Sequence, residues 1–162
     1  MAIISFEHIA PDGQVAVVPD GFRRLDWDVF VALDDEFLET FMGNSNAIRT
    51  GEAAAVGDPD GGAVGFHSPD RDNDFDLNSG YFTAAAENNL QVKIVGFDDG
   101  KKVATKVLTL DADQENADQE FIRFGPQFDG IDEVKFTVIG GTNPDPSDFQ
   151  PIFGVDDLFL NL

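Results

Sequence analysis

"NNLQVKIVGFDDGKKVATKVLTLD", residues 88–111, has the pattern of two strands folded back on each other. Leu90, Val92 and Ile94 alternate with Gln91 and Lys93, and Val103, Thr105, Val107 and Thr109 carry the alternation along the second arm. Successive side chains of a strand point to opposite sides, whereas a helix repeats its apolar positions every three or four residues. Between the arms lies Asp98-Asp99-Gly100-Lys101, and Asp-Gly tolerates the positive φ angles of a tight hairpin turn. The stretch therefore predicts a half-buried antiparallel hairpin.

The same pattern extends outward. In "DEVKFTVIGG", residues 132–141, Val134, Phe136 and Val138 share a face. "GVDDLFLNL" closes the chain as a strand, "AIISFEHIA" opens it as one, and shorter strands are expected at 15–18, 53–57 and 62–66. Asp-Gly pairs at 12–13, 20–21, 60–61, 99–100 and 129–130 punctuate these segments. One segment resists. In "DWDVFVALDDEFLETFM", Phe30, Leu33, Phe37 and Phe41 lie about a helical turn apart, so residues 29–42 form either a full helix or a strand followed by a short helical turn. No linker and no fixed-period repeat appears. The expectation is an all-β protein, one antiparallel β-sandwich spanning residues 1–162.

A chain of 162 residues with 42% hydrophobic residues, 16 of them Phe, can build a substantial core, which argues against disorder. Its 31 acidic and 10 basic side chains leave a formal charge of -21. That field repels phosphate backbones and anionic lipid headgroups, so neither nucleic acid nor a membrane surface is an expected partner; neutral ligands and cations are. A saline environment or simple solubility accounts for the acidity equally well. Cysteine is absent, and His8 and His67 are the only imidazoles, which disfavours a transition-metal site. No apolar run approaches the roughly 20 residues that span a bilayer. "MAIISFEHIA" does not form a signal peptide, although a domain of a longer exported protein carries its signal elsewhere.

"DRDNDFDLNSGYFTA", residues 70–84, places acids at alternate positions. An EF-hand loop needs Gly at its sixth position and Glu at its twelfth. Counted from Asp70 these are Phe75 and Tyr81, and counted from Asp72 they are Leu77 and Thr83, so both registers fail. In a strand, Asp74, Asp76 and Asn78 line one side and Phe75 and Leu77 the other. The polar side is either a solvated face or a strip where Asp76 and Asn78 meet ligand hydroxyls.

Other candidates carry the same ambiguity. Trp27 stands between Asp26 and Asp28, and is either a core residue or a ring that stacks on a sugar while Asp28 binds hydroxyls. Tyr81 has the same two readings. Phe149, near the tip of the loop at residues 140–151, is a further stacking candidate or plain loop. Arg23 and Arg24 are expected to make local salt bridges. Nothing matches a nucleophile elbow, a zinc-protease helix or a phosphate loop, so no catalytic residue is assigned and no enzyme is expected.

Taken in order, "PDGFRRLDWDVFVALD", "DFDLNSGYFTAAAENNLQVKIVGFDDGKKVATKVLTLD", "FGPQFDGIDEVKF", "GGTNP" and "FGVDDLFL" resemble a group of bacterial exported domains with the galactose-binding-like jelly roll. The resemblance covers most of the chain and is weakest between Gly43 and Pro69. It implies a non-catalytic carbohydrate-binding module, extracellular or at the cell surface, or else an adhesion or assembly domain with a protein partner. It also implies a structural calcium where first and last strands meet, held by Glu7 and by Asp156 or Asp157 with loop carbonyls. The alternative for these residues is that Glu7 lies on the surface and the Asp pair closes a turn before the last strand. Charge favours a neutral glycan; a polyanion such as alginate needs a bridging cation.

Overall fold

The computed structural model describes residues 1–42, 53–56, 62–71, 73–84, 88–111, 119–142 and 152–162. The strands among the described residues, in chain order, are β1 (Ala2–Ile4), β2 (Val15–Val17), β3 (Asp26–Asp28), β4 (Val31–Asp34), β5 (Ala53–Val56), β6 (Val64–His67), β7 (Asp76–Ala84), β8 (Asn88–Asp98), β9 (Lys101–Leu110), β10 (Glu120–Arg123), β11 (Glu133–Thr142) and β12 (Phe153–Asn161), with an α-helix, α1 (Asp35–Met42), after β4. They form a seven-stranded sheet ordered β10-β7-β12-β5-β4-β2, with β1 also on β12, and a five-stranded sheet ordered β3-β6-β11-β8-β9. Every pairing is antiparallel. The protein is an antiparallel β-sandwich whose chain crosses repeatedly between layers, the winding of a jelly roll.

The hairpin forms as its sequence dictates. Leu90 pairs with Leu110 and Asp98 with Lys101, and the turn residues Asp99 and Gly100 have φ of 51° and 70°. Leu90, Val92, Ile94, Ala104, Leu108 and Leu110 are buried, and Val103 and Val107 face solvent. Between the sheets Phe6, Phe30, Phe66, Phe82, Phe128, Phe136 and Phe153 are fully buried. Their rings meet edge to face or tilted, as for Phe30 and Phe136 at 5.8 Å and 81°.

Residues 29–42 resolve into a strand and a two-turn helix. Asp34 ends β4 and its Oδ1 accepts the Phe37 amide at 3.0 Å, a side-chain N-cap. Asp35 and Glu36 follow in the first turn, where the helix dipole favours negative charge. Ala32 belongs to the main core whereas Leu33 packs with Leu38, Ala54, Val56 and Ile152, so α1 covers the outer side of the larger sheet. No helix among the described residues is long and apolar enough to cross a membrane.

Two bulges set the faces of β7 and β12. The register runs Asp156 to Tyr81, then Phe159 to Ser79, then Leu160 to Leu77. Three residues of β12 thus span two of β7, and then one spans two, which makes Asn78 an extra residue on β7. Asp157, at φ 45°, takes up the opposite insertion on β12. Each insertion flips the alternation: Leu77 and Phe82 both face the core, as do Val155 and Leu158. The Asp156-Asp157 pair is therefore a bulge inside the strand and not a turn before it. It lies where β12 exchanges one neighbour for another, Val155 facing Ala55 of β5 and Leu158 facing Ile4 of β1.

Candidate ligand-binding face

Trp27 is not a platform. It is buried beside Phe6 (5.5 Å), Phe30 (5.4 Å) and Phe66 (4.8 Å), and its indole Nε1 donates to the Phe22 carbonyl at 3.0 Å. The ring is 4% exposed and its polar edge is bonded within the protein, so the core reading fits and no face is free to stack on a ligand. Asp28, next along β3, is exposed.

Asp76 and Asn78 are half-buried and serve the fold. Asp76 Oδ1 accepts the Gly130 amide at 3.0 Å and its Oδ2 accepts from Asn161 Nδ2 at 3.1 Å. Asn78 Nδ2 donates to the Asp76 carbonyl at 3.3 Å. The acid thus ties the start of β7 to a loop and to the end of β12. Phe149 lies outside the described residues.

Tyr81 takes the other course. With Phe82 facing the core, Tyr81 turns to the outer side of the seven-stranded sheet. Its ring lies 5.0 Å from Phe121, its partner on β10, and Phe121 meets Phe159 of β12 edge to face at 6.4 Å. Phe121 is 43% exposed, and Ile3, paired with Phe159, is 52% exposed. The Arg123 guanidinium sits 5.6 Å from the Phe121 ring centre. These side chains cross β10, β7, β12 and β1, three inter-strand steps of about 4.8 Å or roughly 14 Å in all. Phe121 and Phe159 were not singled out in the sequence. Simple alternation puts Phe159 on the same side as Val155, and only the Asp157 insertion turns it outward.

The strip continues beyond Ile3 into two clefts. One, of about 350 Å³, is bounded by Ile3, Arg23, Arg24 and Leu162. The next, of about 460 Å³, shares Arg24 and Leu162 and adds Ser68, Asp70, Asn73 and Asp74, so the acidic loop before β7 forms one polar wall. The expected salt bridges of Arg23 and Arg24 are not made among the described residues. Both are exposed, in left-handed backbone conformations with φ of 55° and 68°, and Arg23 lies over the Phe22 ring at 5.6 Å. Planar donors beside carboxylates and amides suit a ligand rich in hydroxyl groups.

The expected chain-end acids are partly or wholly enclosed. Asp156 is fully buried and its Oδ1 accepts the Asp157 amide at 2.8 Å; Glu7 is half-buried with Oε1 inside. All three also take part in further interactions within the protein. A different acidic group converges more tightly: one carboxylate oxygen from each of Asp98, Asp99 and Asp132 lies within 4.8 Å of the others, a set that can hold a metal ion. It joins residues more than thirty positions apart, which no spacing rule along the chain detects. Nearby, Glu133 receives Arg71 at 3.1 Å and Lys135 at 2.8 Å. Burial pushes its carboxyl up, but the hydrogen bond and charge of Lys135, with those of Arg71, outweigh it and hold the group below its ordinary value.

No family model matches the chain, and no curated protein matches it. Among solved structures, the carbohydrate-binding module TmCBM61 in complex with β-1,4-galactotriose aligns over 97% of this chain and 93% of its own, with 12% identity and a TM-score of 0.47. A likeness that distant assigns neither a family nor a ligand.

Proposed function

We propose that this protein is a non-catalytic carbohydrate-binding module, extracellular or at the cell surface, whose ligand lies across the outer face of the seven-stranded sheet. The observation that carries the reading is the outward-facing cluster of exposed Phe121 with half-buried Tyr81 and Phe159. Solvent-accessible aromatic rings stack on the apolar faces of sugar rings, and the Arg24, Asp70 and Asn73 side chains of the adjoining cleft supply hydroxyl-binding groups. The net charge favours a neutral glycan. A calcium ion at Glu7 with Asp156 or Asp157 belongs to the same proposal; two carboxylates and loop carbonyls are ligands of the right kind, and the ion would tie the two ends of the chain together.

A glycan array is the test, followed by Tyr81→Ala and Phe121→Ala on any hit. Each substitution is expected to weaken binding about tenfold or more, roughly 1.4 kcal/mol, without unfolding the domain. Binding unchanged in both variants, or no binding to any neutral glycan, overturns the reading. The alternative is an adhesion or assembly domain of the same fold, which draws on β10: it forms the rim of its sheet among the described residues, and an edge strand can accept a partner's strand. Capture of a protein partner that Phe121→Ala disrupts, with a blank array, would favour it.

A further inference from the structure

We propose that Asp98, Asp99 and Asp132 bind a calcium ion at the tip of the β8–β9 hairpin, a site separate from the chain ends and independent of any glycan. Asp132 is fully buried, and its backbone is fixed on both sides: its amide donates to the Phe97 carbonyl at 2.9 Å and its carbonyl accepts the Ser68 amide at 2.9 Å. Its Oδ2 accepts the Asp99 amide at 2.8 Å, while Oδ1 is buried with no hydrogen-bond partner. A buried carboxylate oxygen without a donor is unfavourable, and a cation beside it supplies what the protein does not.

The surroundings point the same way. Three carboxylates stand within 4.8 Å of one another, yet no Lys or Arg among the described residues forms an ion pair with any of them. Lys135, a nearby cation, is committed to Glu133 at 2.8 Å. Calcium holds its oxygens at about 2.3–2.6 Å, so two ligands on opposite sides of one ion are about 5 Å apart, which the observed spacing satisfies. Asp99 is exposed and Asp98 half-exposed, leaving an open side for the waters that complete six to eight ligands. The two-residue turn holds Asp99 in place, since φ of 51° and 70° at Asp99 and Gly100 leave the loop no slack.

Asp98→Asn/Asp99→Asn is the decisive variant. Asn adopts left-handed backbone as readily as Asp, so the turn survives while two charges are lost. Without calcium, the variant melts at or above the wild-type temperature, because a repulsion has been removed. With millimolar calcium chloride the wild type gains several degrees and the variant gains clearly less, since an ion bound only by the folded state raises its stability. Amide NMR shifts on calcium titration locate the ion, with changes expected at Ser68, Asp98 to Lys101 and Ile131 to Glu133. Glu7→Gln, which alters the chain ends alone, keeps the hairpin response. A wild type indifferent to calcium, an equal gain in the hairpin variant, or shifts confined to the chain ends would each overturn the site.

Discussion

Replacing Trp27 by Ala removes a ring on which Phe6, Phe30 and Phe66 pack and takes away one of two donors to the Phe22 carbonyl, which keeps the Leu25 amide. The expected loss is about 3–5 kcal/mol, read by denaturant unfolding. A loss under 1 kcal/mol would mean that the ring is not seated in the core as described. Glu133 makes a pH-dependent prediction. Its folded-state carboxyl lies below the ordinary value of 4.5, so its stabilising contribution is present above that pH and disappears as pH falls through the depressed value. Glu133→Gln should therefore cost about 1–3 kcal/mol at neutral pH, with the gap closing towards pH 2. Melting curves of both proteins across that range decide it; a gap that stays constant with pH contradicts the ion-pair account.

At the scale of elements, the link between β3 and β4 is under strain. Val29 has φ of 59°, a conformation that a β-branched side chain adopts at a cost, and it is 53% exposed. Val29→Asn should raise stability by about 1 kcal/mol, since Asn tolerates that region and little packing is lost; a lower melting temperature would refute this. The β8–β9 hairpin was legible in the sequence because period-two alternation persists through both arms and Asp99-Gly100 supplies the turn. The faces of β7 and β12 were not, because one inserted residue inverts every side chain beyond it. Leu77 and Phe82, five positions apart, cannot both face the same core in a regular strand, and that conflict is the one hint the sequence offers. Tyr81 was accordingly a candidate with two readings, while Phe159 was assigned no role. For Trp27 the flanking acids suggested a site, yet in a strand Asp26 and Asp28 share one face and Trp27 has the other. The helical spacing of Phe30, Leu33 and Phe37 had a mixed origin: one residue from the link before β4, one from β4 itself and one from the helix that follows it.

At the scale of the whole molecule, a formal charge of -21 on 162 residues makes self-repulsion a general opponent of folding. Raising sodium chloride from about 10 mM to 1 M shortens the screening length from about 30 Å to about 3 Å, and the melting temperature should climb steadily over that range, even in excess chelator. A melting temperature that falls or stays level would show that the favourable ion pairs outweigh the repulsion.

The pairing of β1 with β12 sets how the domain responds to tension. Ala2 faces Leu160 and Ile4 faces Leu158, antiparallel, so the two chain ends leave the same end of one ladder. A pull applied between them loads that ladder one rung at a time, as in opening a zipper, and never shears all rungs together. β1 has only three rungs to offer. The domain would therefore yield first at its N-terminal strand, under modest force, with the Phe-rich interior still intact.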